Sequence, residues 1–174
     1  MSMVRVAIAL TCALAVSAST ATASRDPIVR ANGQIGPFRI DVTTEAQLRA
    51  IGGEPSNVKN QFIPSKEAPV GHTLYYRCGS GCLTAYSFNN TTRRLSDFWT
   101  RSPRFRTERG SYAGMSASRA ASREQRELVP GCGEGLFIHI RWDARHAYVL
   151  TVARGKVNGI TYLGPHSVYY EGLC

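Results

Sequence analysis

Three groups of residues in this chain have types and spacings that could do chemistry. Cys78 and Cys82 bracket a Gly-Ser-Gly tip in "RCGSGCL". His139, Arg141 and His146 crowd the short stretch "FIHIRWDARH". Arg93, Arg94, Arg101, Arg104, Arg106 and Arg109 run through "TRRLSDFWTRSPRFRTERG", with Phe98, Trp99 and Phe105 between them. Each group has an active and a passive reading, and the flanking residues choose between them.

The cysteines are the most decisive. A redox pair is spaced C-x-x-C at a helix start, where the dipole lowers the thiol pKa. Here three residues intervene and both flanks read as strands. A zinc site needs a second close pair, and the remaining candidates, Cys132 and Cys174, are far apart in sequence. A serine nucleophile elbow needs G-x-S-x-G, but cysteines occupy the outer positions around Ser80. The flanks "HTLYYRC" and "CLTAYSF" are rich in Thr, Tyr, Leu and Phe, and a three-residue Gly-containing loop is a common hairpin connection. Centring the turn on Ser80 makes the cysteines direct cross-strand neighbours, with alpha-carbons about 4.5 Å apart, within disulfide range. The motif is therefore predicted to be a staple. By elimination Cys132 pairs with Cys174. In the chain-entropy model the small ring contributes roughly 2 kcal/mol and the larger one roughly 4 kcal/mol.

Disulfides presuppose export, and the N-terminus supplies the signal. Arg5 precedes an apolar run from Val6 to Val16 and then Ala21-Thr22-Ala23, which fits an A-x-A cleavage rule with the cut after Ala23. The run is far short of the roughly 20 residues that span a bilayer. A secreted, extracellular chain is expected. The whole sequence has 174 residues and a formal charge of +9; without its leader it carries about +8, mostly from arginine. Such a surface attracts acidic proteins, anionic envelope polymers or nucleic acid. The Arg-rich stretch could form a polyanion-binding edge with interleaved aromatics, or simply be a solvated linker. "NNTT" (89–92) holds two overlapping glycosylation sequons, relevant only in a eukaryotic host.

The histidines raise the one enzymatic reading: two imidazoles as general acid and base, with Arg141 on a phosphate. A hairpin on the "DA" turn would pair Arg141 with His146 and His139 with Tyr148, placing both imidazoles on one face. No carboxylate is assured beside them, and no third metal ligand is supplied. No cofactor or metal is expected, and the chain is read as a non-enzyme, with a basic nuclease or cell-wall hydrolase using His139 and His146 as the alternative.

The elements that must position these groups follow from capping and periodicity. Thr44 caps a helix with Gln47 completing a capping box; Leu48 and Ile51 form its apolar face and Gly52-Gly53 end it. Residues 56–71 read as a polar connection, or a second short helix. Strands follow at about 72–78, 82–89 and 94–100. The plan then recurs: Ser116 caps a helix running to about Val129, and "GLFIHIRW", "HAYVLTVA" and "KVNGITYLG" are three more strands. The predicted fold class is α+β, a tandem repeat of a helix plus a three-stranded antiparallel sheet, helices packed on one sheet face. Its expected divisions are a leader at 1–23, a flexible tail at 24–34, repeat 1 at 35–104 and repeat 2 at 105–174.

Alternation assigns faces. Leu74, Tyr76, Cys78, Cys82, Thr84, Tyr86 and Phe88 share the inward face of the first hairpin, with Tyr75 and Arg77 outward. Leu136, Ile138, Ile140 and Val149 form the apolar face of the second unit. Phe137, His139, Arg141, His146 and Tyr148 are expected outward. Aromatics, Arg and His on an open sheet face are what protein interfaces over-use. Tyr75, Arg77, Phe137, His139, Arg141, His146 and Tyr148 are thus the expected binding residues, for an extracellular or envelope protein.

Gly114-Met115-Ser116, "SPRFRT" (102–107) and "GKVNGI" (155–160) resemble segments of secreted actinobacterial tandem-repeat proteins, which are similar in turn to the β-lactamase inhibitor protein fold and to small outer-membrane assembly lipoproteins. The resemblance implies helices on one face of an antiparallel sheet and a non-catalytic protein-binding platform. It departs at Val42-Thr43, where a Gly is expected, and it carries over no inhibitory contact residue.

Overall fold

The computed structural model describes residues 26–63, 65–131 and 135–167. The leader at 1–23 and the proposed Cys132–Cys174 pair lie outside those residues. In chain order, the short strands β1 (Ile28–Val29), β2 (Gln34–Ile35) and β3 (Phe38–Arg39) precede helix α1 (Glu45–Gly52). Then come β4 (Asn57–Gln61), β5 (Gly71–Gly79), β6 (Cys82–Asn89), β7 (Leu95–Thr100) and β8 (Arg106–Thr107). Helix α2 (Ala117–Glu124) leads into β9 (Leu128–Pro130), β10 (Leu136–Trp142), β11 (Ala147–Ala153) and β12 (Lys156–Leu163).

The predicted α+β tandem repeat is overturned. The described residues are mostly β, arranged as an eight-stranded sheet in the order β4-β5-β6-β7-β12-β11-β10-β9 and a four-stranded sheet in the order β3-β2-β1-β8. Neither helix makes a layer. Each has eight residues; α1 buries Leu48 alone, and α2 buries Ala117, Ala120 and Glu124. The second layer of the core comes instead from 26–40, where Val29, Ile35, Phe38 and Ile40 are buried; of these, Val29 falls in the stretch 24–34 expected to be a flexible tail, and the others in the expected entry to repeat 1. They meet Tyr86, Phe98, Tyr148, Leu150, Ile160 and Tyr162 from one face of the large sheet in a single cluster. Each such buried side chain contributes about 1.5–3 kcal/mol of transfer free energy.

Local chemistry accounts for where elements begin and end. The Thr44 capping box forms as expected: Thr44 Oγ1 accepts from the Gln47 N–H, and Gln47 Oε1 accepts from the Thr44 N–H at 2.9 Å. The second helix stops five residues short of its expected end. Gln125 adopts a left-handed conformation (φ 54°) and its N–H bonds back to the last turn, freeing Leu128–Pro130 to become edge strand β9. "NVKNQ", read as connection or helix, is edge strand β4, exposed at every position except Gln61.

The central joint is the antiparallel pairing of β7 with β12, registered Ile160 to Thr100 and Tyr162 to Phe98. It merges strands from both halves of the chain into one sheet and leaves no free edge at its middle. Across β5 and β6, Cys78 and Cys82 are joined by a disulfide with alpha-carbons 5.1 Å apart. The staple is as predicted but its register is not. Gly79 pairs with Cys82, Arg77 pairs with Leu83, and Cys78 occupies the bulge between them. Gly79 and Gly81 both take positive φ here (126° and 69°), a conformation only glycine adopts at little cost.

Candidate functional site: the open face of the large sheet

Cross-strand partners share a face, so the register alone maps the surface. One row runs Tyr75, Ala85, Trp99, Thr161, Val149 and His139 across β5, β6, β7, β12, β11 and β10. The adjacent row runs Thr73, Ser87, Asp97, Leu163, Ala147 and Trp142 across the same strands. Both rows lie opposite the core-facing row of Leu74, Tyr86, Phe98, Tyr162 and Tyr148; Tyr75, Trp99, His139 and Trp142 keep part of their surface exposed, while the smaller side chains between them, Ala85, Val149, Thr161, Thr73, Ser87, Asp97, Leu163 and Ala147, are buried.

The expected binding residues divide between the two faces. Tyr75, Arg77, Phe137 and His139 lie on the open face, as the alternation predicts. Arg141 and Tyr148 do not. A β-bulge between His139 and Arg141 leaves Ile140 without a partner and sets Arg141 opposite Tyr148, so every later position of β10 changes face. Tyr148 is fully buried and donates its hydroxyl to the Val29 carbonyl at 2.8 Å. Arg141 donates to the Ala31 carbonyl at 2.8 Å and to Asp143 at 2.6 Å. Both therefore pin the N-terminal segment to the core; Tyr148 is closed to a partner, while Arg141 keeps part of its side chain exposed.

The same bulge separates the two imidazoles. The expected pairing of Arg141 with His146 and of His139 with Tyr148 is replaced by Arg141–Tyr148 and His139–Val149. His146 packs edge-on against the core-facing Tyr162, centroids 6.0 Å apart, and contacts Asp143 at 3.2 Å. His139 instead stacks on Trp142 at 4.5 Å, with Phe137 beyond it at 6.1 Å. Desolvation lowers the His139 pKa, favouring the neutral ring. Asp143 is held well below the usual carboxylate range, by the Arg145 backbone N–H first and then by Arg141 and His146. The stack Phe137–His139–Trp142 is an aromatic ladder, and Trp142 is 47% exposed although apolar in character.

Asp97 is absent from the residues expected to bind, and Trp99 enters the sequence reading only as an aromatic of the Arg-rich stretch. The Trp99 indole approaches β12 closely at Gly159: a Cβ there would fall 2.8 Å from the Thr100 carbonyl and 3.2 Å from the indole Nε1. Arg101 sits 5.1 Å over the Trp99 ring and Lys59 6.0 Å from the Tyr75 ring, each a cation–π contact. Between these aromatics the face sinks into a hollow of about 530 Å³, lined by Leu83, Ala85, Thr161 and Leu163 among others. Asp97 lines the same hollow and is 4% exposed. Its Oδ2 accepts from Ser96 at 2.9 Å, and the Ser167 side chain also hydrogen-bonds the carboxyl. Burial raises its pKa to about 7, against the lowering effect of Ser167 and Ser96. One signal was available in "LSDFWT": an acid two residues from a tryptophan, on one face of a strand.

The six arginines of 93–109 do not form one edge. Arg94 donates to the Val42 carbonyl, Arg101 covers Trp99, Arg106 stacks on Tyr112 while pairing with Asp26, and Arg109 reaches the Arg123 carbonyl. Arg104 lines a different groove, with Phe38 and Phe105, and Arg93 occupies the turn before β7.

No protein-family model matches this chain, and no curated protein matches it. Among solved structures it is similar to an extracellular protein containing an SCP domain from Bacillus anthracis str. Ames, with a TM-score of 0.45 and 10% identity. That match covers 71% of this chain, which spans 43% of the other protein's length.

Proposed function

We propose that the chain is a secreted, non-catalytic binding module that engages a protein partner through the open face of its eight-stranded sheet. One observation carries this reading: Tyr75, Trp99, Phe137, His139 and Trp142 share one sheet face, and each keeps part of its surface exposed. Aromatic residues gathered on an accessible face supply the buried anchors that dominate protein interfaces, and Arg77 and Arg101 beside them add the cationic component such interfaces favour. Export rests on the leader motif and the Cys78–Cys82 staple; no described helix is long and apolar enough to cross a membrane.

His139 pairs with Val149 on the open face while His146 packs against the core-facing Tyr162, which favours the binding reading over a hydrolase that uses both imidazoles. Site-specific photo-crosslinking tests the leading reading. A benzophenone side chain placed at Thr151, on the open face, should give a discrete adduct with an envelope or medium protein. The same group at Arg119, exposed on α2, should give none. Equal labelling from both positions contradicts the proposal.

A further inference from the structure

On the core-facing side of the large sheet lies a second concavity, which the proposed partner interface does not use. It is a groove of about 480 Å³ between Phe38 of β3, Leu48 and Ile51 of α1, Tyr76 of β5, Tyr86 of β6 and Phe105 of the loop before β8. Leu48 is fully buried at its floor. Ile51, 63% exposed, carries the apolar wall out to the mouth.

The hydroxyls of the lining are engaged, with one exception. Tyr76 donates to the Gly53 carbonyl at 3.1 Å, and its ring lies against Gly52. Thr84 Oγ1 meets Thr100 Oγ1 at 2.8 Å, and Ser102 Oγ accepts from the Arg104 N–H at 3.4 Å. Tyr86 is the exception. It is 6% exposed, with Phe38, Phe98 and Tyr76 packed on its ring at 5.5, 5.3 and 5.8 Å. Its hydroxyl bonds to no described residue. Nor is that oxygen closed off, unlike the unpaired Asp41 Oδ1, Gln61 Oε1 and Ser111 Oγ. With the ring enclosed, the hydroxyl is the part of Tyr86 that the groove reaches.

The direction of the missing bond follows from the phenol. Burial, and then the neighbouring Tyr76, raise the Tyr86 pKa above its ordinary value, so the group keeps its proton and offers a donor. A ligand must then supply an acceptor. A carboxylate would lose its hydration among Phe38, Leu48 and Phe105 in exchange for one hydroxyl, and Arg104, the charged residue of the lining, is already engaged. A carbonyl oxygen gives up far less. The rest of the molecule must be apolar to match the walls, and the volume is within the range of small-ligand sites.

We propose that this groove binds a small uncharged apolar molecule with one carbonyl oxygen, an aryl ketone in its simplest form. Its body lies against Phe38, Leu48 and Phe105, and its oxygen accepts from the Tyr86 hydroxyl. The site is on the other side of the sheet from the proposed partner interface and does not depend on it.

The test titrates the folded chain with acetophenone, ethylbenzene and benzoate, followed by amide chemical shifts in two-dimensional NMR. Acetophenone should shift residues of α1, β5 and β6 saturably, and benzoate should bind at least tenfold more weakly. Tyr86→Phe removes a hydroxyl that bonds to no described residue, so it should fold as the wild type does. It should weaken acetophenone about fivefold or more, the size of one net hydrogen bond, and change ethylbenzene less than twofold. The differing hydrophobicity of the two probes cancels in that contrast. Unchanged acetophenone affinity in Tyr86→Phe, an equal loss for ethylbenzene, equal or tighter binding of benzoate, or no saturable acetophenone shift in these elements each overturns the inference. Should Tyr86→Phe fail to fold, intermolecular NOEs in wild-type protein decide: contacts from the acetophenone methyl to the Tyr86 ring support the site, and their absence overturns it. Crosslinking from Thr151 reads the opposite face, so the two results are independent.

Discussion

The Tyr148 hydroxyl donates to the Val29 carbonyl across 119 residues of sequence, at 2.8 Å and in full burial. Tyr162 makes the parallel contact to the Ala31 carbonyl at 3.1 Å. Two phenols on adjacent strands thus clamp the N-terminal segment that completes the core. Replacing Tyr148 with Phe removes one bond and leaves a carbonyl short of a partner, at a cost of about 1–2 kcal/mol. Tyr148→Ala also opens a cavity and should cost about 3–5 kcal/mol. Urea unfolding curves of the two variants measure both values, and a near-neutral Tyr148→Ala would show that the clamp is not formed.

The difference between Tyr148 as a surface anchor and Tyr148 as a core clamp comes from one unpaired residue. Strict alternation along "LFIHIRW" and "HAYVLTV" puts His139, Arg141 and Tyr148 on one face. The bulge at Ile140 breaks that parity, and nothing in the residue types announces it, since bulges depend on local twist and neighbouring loops. Other features were legible because they rest on short-range chemistry. The Thr44–Gln47 capping box, the strands around 72–100 and the Cys78–Cys82 staple are all set within a few residues. Strands β1, β2, β3 and β8 have two residues each, too few for any period, and exist only through their long-range partners. Polar "NVKNQ" is a strand because β5 offers it an edge, not because of its own pattern.

The hairpin staple closes a small ring at an exposed tip, so its contribution should be modest. The double variant Cys78→Ala/Cys82→Ala should lose roughly 2 kcal/mol and retain the native circular dichroism spectrum. Denaturant titration of that variant against wild type measures the difference. Complete unfolding of the variant would mean that the bulged hairpin holds the sheet together rather than decorating its end.

Asp97 gives a pH dependence whose sign can be fixed. Its folded pKa, about 7, lies above the ordinary carboxyl value of 3.8, so between those values the folded state holds a proton that the unfolded chain has released. Stability therefore falls as pH rises from about 4 to about 7, and levels off above. The groups acting on the carboxyl, Ser167, Ser96 and the distant charge of Asp41, are all retained in Asp97→Asn. That variant should lose this slope and gain stability relative to wild type at pH 8, by up to about 4 kcal/mol. Thermal melts at pH 5 and pH 8 provide the comparison; an unchanged slope in Asp97→Asn would show that another group is responsible.

The account stands most directly on where the partner's binding energy resides. Once the protein crosslinked from Thr151 is identified, its affinity should be measured by calorimetry at physiological salt against two variants. Trp99→Ala removes an anchor at the centre of the open face and should weaken binding at least tenfold, about 1.4 kcal/mol. Arg104→Ala/Arg109→Ala removes charges away from that face and should change affinity less than twofold. Unchanged affinity in Trp99→Ala, with a large salt-dependent loss in the arginine variant, would contradict binding through the sheet.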